Sequence, residues 1–533
     1  MKKCIKIYII IFLQSFFLST YAQEITLGTL TNTEEALSSY TLFAPFNSFN
    51  AYLVNNCGEL INEWGSDQRL AASVYLTDDA ELVRTYKISS SFFGGGAGGG
   101  IEIFNWEGDR IWHFEYASDE YLLHHDIEIL PNGNILAIAW VLKSAEEAVS
   151  KGKVGNVPPN GLWPDRIIEI QRGGSNDKEV VWSWDAWDHL IQDVDPSKEN
   201  YGEVALNPER ININIYSNEA DWIHLNSIDY HPELDQILVG SRHFSEIWVI
   251  DHSTTTEEAA SSQGGMYGKG GDLLYRWGNP FAYKSGFQND QRLFGQHDAE
   301  WISENRILLF NNGDQRSSVD ILNLPIDENG FYDYQEGQPY LPDEFSWSYD
   351  GGVDNVFFSA SVSGTAQLDN GNILVASGEE GRIFELNDQD EIVWDYIIPV
   401  GPQVFAQGDD PFLNQFFKSE KYAVNDIRFN SVDVSSQGPL ELNPVEGSCE
   451  LISSTDDGIL DNLQLEWLSD LLIIRTAESG NHHLRLFTPA GQLLKLEEFN
   501  SMGQIDMSNL PQGLYLVSIT SKEGKKVVLK VFK

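Results

Sequence analysis

The feature that most constrains this chain is an internal repeat. HDIEILPNGNILAIAW from His125, HDAEWISENRILLFNNG from His297 and SGTAQLDNGNILVASG from Ser363 each begin on a polar residue, place Leu130, Ile302 or Leu368 five positions on, and turn through Asn or Gly. Each then enters an apolar strand at Ile135, Ile307 or Ile373. A fourth copy starts at His224 with three extra residues before Ile237, and a fainter one starts at Ala71, with Asp78-Asp79 in the turn. A unit this short cannot bury an apolar face alone and must stack on its neighbours.

After each turn come two more strands, the last usually carrying Trp, as in EVVWSW, DLLYRWG and EIVWDY. Four short strands per repeat with a recurring outer aromatic read as the blade of a β-propeller. Five copies are countable, and a sixth blade forms if AYLVNNCGELINEW closes the ring with a late strand at Tyr422 to Val434. The expected fold is therefore all-β, a six-bladed propeller. It accounts for 15 Trp, 21 Tyr and 28 Phe against 4 Met, with Trp182, Trp184, Trp248, Trp277 and Trp394 as packing residues of outer strands. The long insertion from Lys143 to Asp221 is expected to carry short helices at SAEEAVSKG and WDAWDHLIQD.

The two ends differ from the repeats. Residues 1–22 combine Lys2, Lys3 and Lys6 with an apolar run from Ile7 to Leu18 and a small-residue site at Thr20-Tyr21-Ala22, which reads as a signal peptide too short to span a bilayer. The propeller then occupies 23–452, a linker 453–462, and a small β-sandwich with a basic end 463–533. With 34 basic against 80 acidic residues, the net charge of −46 excludes a nucleic-acid partner and disfavours an anionic membrane surface. An anionic substrate would need a local cationic cleft.

The first strand of a propeller blade lines the central channel, so His125, His224, His297 and Ser363, at one repeat position, should converge at one mouth. Three of only 11 His share that register. Two chemistries fit such a cluster. One is a zinc site, disfavoured because no carboxylate stands reliably in the register and Arg242, on the strand after His224, would repel a cation. The other is nucleophilic imidazole catalysis on an anionic group, with one His attacking, another moving the proton, and Arg242 and Asn226 holding charge. Asn226 lies two positions after His224, on the same strand face. Asp298 is a candidate for orienting His297, and Phe357, Phe358 and Trp187 for an aromatic wall. His124 should point away from His125, and GGGAGGG at 94–100 reads as a flexible connector without phosphate-loop character.

HHDIEILPNGN, WIHLNSIDY followed by GSRHFSEIWVID, QHDAEWISENRILLFNNGDQR and SGTAQLDNGNILVASGEEGRIFEL, in that order, resemble the arylsulfate sulfotransferase family. The resemblance covers about residues 40 to 435 and implies an exported six-bladed propeller. It implies transfer of a sulfuryl group from a phenolic sulfate ester to a phenol, ping-pong through a sulfohistidine, with neither a nucleotide sulfate donor nor any other cofactor or metal. It makes His297 the nucleophile and His224 the acid/base partner, places His125, Asn226 and Arg242 around the sulfate, and assigns a further polar contact to Ser363 or Thr365. Hydrolysis by water at the same site, or a non-catalytic propeller binding glycan or protein ligands, are the other readings. The tail NLPQGLYLVSITSKEGKKVVLKVFK resembles a type IX secretion sorting domain, which implies passage across the outer membrane through the secretion machinery to a secreted or cell-surface location. Ring closure would also bring Cys57 towards Cys449, making a disulfide between them possible.

Overall fold

The computed structural model describes residues 25–175, 177–215, 219–445 and, in the tail, 464–468, 471–476, 482–487, 493–508, 510, 514–521 and 526–533. The expected signal peptide and Cys449 lie outside the described residues; Cys57 is disulfide-bonded. Contacts divide the chain into two compact units, Met1–Leu451 and Ile452–Lys533. No helix among the described residues is long and apolar enough to cross a membrane.

Alternating apolar runs cut by Asn and Gly turns favour antiparallel hairpins, and the first unit is all-β. Its described residues form four-stranded antiparallel sheets whose first strands are Leu70–Leu76, Tyr121–Ile129, Leu225–His231, His297–Ser303, Gly364–Gln367 and Phe416–Ala423. Each of these packs against the next, and Phe416–Ala423 packs back against Leu70–Leu76, an arrangement consistent with a propeller. The sheet begun by Gly364–Gln367 gains a fifth strand, Gly28–Asn32, along its outer strand Ile392–Ile397. Closure is one strand earlier than the sequence suggests. Phe416–Ala423 pairs with Ser39–Pro45, and Asn50–Asn55 and Leu60–Gly65 follow outward. Beyond Ala423 the chain turns through Ile427–Phe429 and runs beside Leu60.

The Lys143 to Asp221 insertion carries a helix at Ala145–Ser150, started by a Ser144 and Glu147 capping box, and a 3-10 turn at Ala186–His189. Trp182, Trp184, Trp248, Trp277 and Trp394 are all buried between sheets. In the second unit, the described strands form one sheet of three and one of four, and Leu472, Ile474, Leu484, Leu486, Val517 and Ile519 share a core.

The first strands do not run regularly. Four carry a register shift at the same place, around residues 71–73, 124–126, 226 and 298–299. Such β-bulges turn side chains out of simple alternation. Beside them His125, His224, Asp298, Val362 and Ser363 hold positive φ values of 51, 58, 51, 53 and 86°, conformations that non-glycine residues adopt at a cost.

Between the bulges sits Lys418, from the closing strand. Its ammonium lies 2.7 Å from Asp298 and 3.6 Å from Asp126, over the Tyr75 ring. Asp126 also accepts from Ser73 Oγ and Tyr75 Oη at 2.5 and 2.6 Å, and Asp298 from the Thr365 amide at 2.9 Å. Burial works against this ammonium, but the charges of Asp126 and Asp298 outweigh it and hold its pKa well above the ordinary lysine value. Replacing one partner of a buried ion pair leaves an uncompensated charge at a cost of about 3–5 kcal/mol. The variant Lys418→Met is therefore expected to lose about that much unfolding free energy in denaturant titrations; a loss below about 1 kcal/mol would show that the strands do not depend on this charge.

Candidate functional site

A cavity of about 540 Å³ opens where the bulged strands begin, and His125, His224, His297 and Arg242 all line it. His125 and His224 lie ring to ring, with centroids 4.5 Å apart, and both His125 and His297 flank the Phe417 ring at 5.9 and 6.3 Å. His243 joins the wall 4.7 Å from His224. Bulged backbone with φ near 55° at His125 and His224 aims these rings into the cavity.

Each ring has a defined partner on Nδ1. The His297 Nδ1 lies 2.7 Å from Asn312 Oδ1, and the His224 Nδ1 faces Asp221 Oδ2 at 2.5 Å. Asp221 is held in turn by the Trp140 indole N–H, 3.0 Å from its Oδ1, and its backbone carbonyl accepts from His243 Nδ1–H at 2.7 Å. His125 and His124 meet through their Nδ1 atoms at 2.7 Å, while His124 Nε2 lies 2.9 Å from Asp165 and its ring stacks on Trp140. The expected divergence of His124 from His125 is overridden by the positive φ at His125, which brings the two rings together.

Arg242 is half-buried, and its guanidinium has no carboxylate within ion-pair distance among the described residues. Its backbone N–H donates to His224 O at 3.0 Å, which ties it to the bulge. Burial, reinforced by the Arg242 charge, pushes His297 down to about 3 and holds His125, His224 and His243 below the ordinary imidazole value. Among the described residues the cavity thus presents imidazoles held towards their neutral form beside the Arg242 guanidinium, with Asp221 and Glu219 in the same wall. Asp221, His224 and His243 also offer ligand atoms within 4.8 Å of one another, a set that fits a divalent ion by type. The His224 Nδ1 is already committed to Asp221, however, and Arg242 stands in the same wall.

The other expected contacts lie elsewhere. Asn226 sits on the bulge itself, so the two-residue alternation that would align it with His224 fails; it is fully buried and donates to Gln296 O at 2.7 Å. Ser363 accepts from the Gly378 amide at 2.9 Å, and Thr365 donates to Leu374 O at 2.8 Å. Neither lines the cavity, where Ser361 and Val362 stand instead. Asp298 faces Lys418 rather than His297. Phe357 is locked in a core with Phe310, Tyr349 and Phe384, and Trp187 in another. The aromatic wall is built by Phe46, Phe93, Trp163 and Phe417, with Pro158 and Pro159. The glycine run is part of the site: Gly94, Gly95 and Gly96 line the cavity, Gly96 O accepts from the His125 amide at 2.8 Å, and a Cβ on Gly96 would stand 2.2 Å from His125 Nε2.

Comparison with known proteins adds identity to this geometry. No curated protein matches the chain. Solved structures with similar folds include a protein of unknown function from Bacteroides caccae, 12% identical over 72% of this chain and 99% of that one, with a TM-score of 0.42. Streptogramin B lyase is 11% identical over 72% and 86% of the two chains, with a TM-score of 0.34. The family model "Arylsulfotransferase (ASST)" matches residues 95–393, more than half of the chain and the stretch that holds His125, His224, Arg242 and His297. The model "Secretion system C-terminal sorting domain" matches residues 468–532. The chain belongs to the arylsulfotransferase family and carries a secretion sorting domain at its C-terminal end.

Proposed function

We propose that this protein is an exported aryl sulfotransferase that moves a sulfuryl group from a phenolic sulfate ester to a phenolic acceptor through a sulfo-His297 intermediate, without nucleotide donor or cofactor. The observation that carries this reading is the sharing of one cavity by three imidazoles and Arg242, which has no ion-pair partner among the described residues, in a chain of net charge −46. On the same reading the first unit is a six-bladed propeller, the second a β-sandwich, and export follows the type IX route.

Sulfuryl transfer resembles phosphoryl transfer: a loose transition state spreads charge over the equatorial oxygens, so positioning and electrostatics dominate. The donor sulfate enters beside Arg242, whose guanidinium takes that charge, while His125 contacts a further oxygen. The negative ester and the Asp221 carboxylate offset burial at His224, which takes up a proton as the donor binds. The His297 Nε2 lone pair attacks sulfur in line; the S–N bond forms as the S–O bond to the aryl group breaks. The departing oxygen keeps the bonding pair and takes the proton from His224. A phenol has a pKa of about 10, so a buried imidazole serves both as its acid and as its base. In the second half the acceptor phenol gives its proton to His224, its oxygen attacks sulfur, and the S–N pair returns to His297. Phe46, Phe93, Trp163 and Phe417 supply the apolar faces on which each aryl ring rests.

The test is transfer from an aryl sulfate to a second phenol by the purified protein, followed by mass spectrometry of the His297 peptide after donor alone. We expect one added sulfuryl group on His297, and loss of transfer by at least about 10³-fold in His297→Ala. Unmodified His297 in an active protein would remove the nucleophile assignment, and absence of transfer altogether would favour a propeller that only binds ligands.

A second expected outcome concerns the glycine run. Gly96→Ala places a methyl group against His125 Nε2 at a φ of +72°, so the ring must move. Transfer should fall by about 10²-fold while the unfolding midpoint shifts by only a few degrees; unchanged activity would show that His125 is not held in place by this loop.

A further inference from the structure

We propose that Asn312 and Asp221 are positioning residues that give two similar histidines opposite duties: Asn312 holds His297 as the free-base nucleophile, and Asp221 makes His224 the imidazole that carries the proton. This rests on the sulfotransferase reading above and assigns what that reading leaves open, namely why the proton goes to one ring and not the other.

The hydrogen bonds around Asn312 leave its amide one orientation. Its Nδ2 donates to the carbonyls of Ser359 and Val362 at 2.8 and 3.0 Å, and carbonyl oxygens only accept. Its Oδ1 is therefore the atom that faces the His297 Nδ1 at 2.7 Å, and that nitrogen must carry the hydrogen. The other ring nitrogen, Nε2, is left with its lone pair. The neutral amide offers the ring a dipole but no counter-charge, so it fixes the tautomer and raises the ring's pKa by a hydrogen bond alone, against the larger effects of burial and Arg242.

The Asp221 carboxylate fixes the same tautomer at His224 by different means. Its Oδ1 accepts from Trp140, its Oδ2 faces His224 Nδ1, and its backbone carbonyl accepts from His243. A carboxylate beside an imidazole stabilises the protonated ring as a charge pair. The opposing influences reach both rings. Arg242 lowers His297 and His224 alike; His125 stands against His224, and His124 adds its charge there, while His224 acts on His297. Glu219 lies on the cavity wall. Burial and Arg242 act on both rings and each ring has a further histidine against it; the Nδ1 partners differ in charge, a carboxylate at His224 and a neutral amide at His297. With the anionic donor in place, the ring with the carboxylate partner, His224, takes the proton and His297 remains free to attack.

Reciprocal substitution in the full chain tests this. With the donor bound, His297 must be unprotonated, which sets the acid limb of the rate at saturating donor against pH, and His224 protonated, which sets the alkaline limb. Asn312→Asp adds a counter-charge to His297, so its acid limb should move to higher pH. Asp221→Asn removes one from His224, so the alkaline limb should move to lower pH. Asp221→Asn should also slow donors with poorly leaving phenols by about 10²-fold or more while sparing, within about tenfold, nitrophenyl sulfates that leave without a proton. Circular dichroism identical to that of the parent confirms folding. Independently of turnover, nitrogen-15 shifts of the His297 ring should report an Nδ1–H tautomer in the parent. Limbs that superimpose on the parent's, an equal loss for all leaving groups, or an Nε2–H tautomer at His297 would overturn the proposal while parental transfer leaves the sulfotransferase reading intact. A parent that transfers no sulfuryl group overturns that reading instead.

Discussion

One buried ammonium ion fixes the arrangement on which the rest depends. Lys418 reaches from the strand that closes the first unit and neutralises Asp126 and Asp298, each of which directly follows a cavity histidine in sequence. Anchoring the carboxylate of an HD pair against Lys418 leaves its histidine on the other side of the bulge, towards the cavity. The same carboxylates collect hydroxyls and amides from neighbouring strands, including the Ile228 amide at 3.4 Å from Asp126. Strand packing and the direction of the His125 and His297 imidazoles are thus tied to one charge group, whose desolvation cost is offset only while its partners are in place. The left-handed backbone at His125 and His224 is tolerable in that setting, because the surrounding contacts over-determine it.

The same group divides the interior by charge. On one side lie the imidazoles and Arg242, with Asp221 and Glu219. On the other, a cavity of about 770 Å³ is lined by Glu128, Asp229, Asp298, Glu300 and Glu420. Burial raises these carboxyls, Asp229 to about 6 and Glu420 to about 7, with Lys418 working in the opposite direction on each. The large negative charge of the chain, which would otherwise repel an anion, is compatible with binding one because the field is local.

The sequence repeat made much of this legible. His125, His224 and His297 share a register, and the structure brings all three to one cavity with Arg242. What the repeat could not convey is the bulge, since one extra residue reverses the alternation that follows it. Asn226 was aligned with His224 by counting two, and it occupies the bulge; Ser363 and Thr365 were aligned by repeat position and serve the backbone instead. Asn312 stood in the quoted NNGDQR motif, but its role depends on Ser359 and Val362, roughly fifty residues further on. Asp221 precedes His224 by three residues in a loop, and a carboxylate at that spacing is meaningful only once the chain turns back on the ring. The aromatic wall comes from loops 46, 93 and 163 and from the closing strand, elements that no period connects. The exchange of Phe357 for these residues has the same cause: local hydrophobicity does not distinguish a core position from a rim.

On the proposed function, the apolar rim bears on a choice that imidazole chemistry alone leaves open, because a sulfo-histidine reacts with water as readily as geometry permits. Phe93 is 71% exposed and packs edge-on against the buried Trp163, so this ring of the rim is accessible to a ligand. Burying about 120 Å² of an aromatic ring against it is worth about 3 kcal/mol, a preference of roughly 150-fold for an aryl acceptor over an unbound competitor. That preference is gained without polar contacts that water would satisfy equally well. On the same proposal the acceptor also displaces solvent from the line of attack and places its hydroxyl beside His224. On this view transfer prevails over hydrolysis through occupancy of the rim, and the polar floor of the cavity, shared by both reactions, supplies the chemistry without selecting between them.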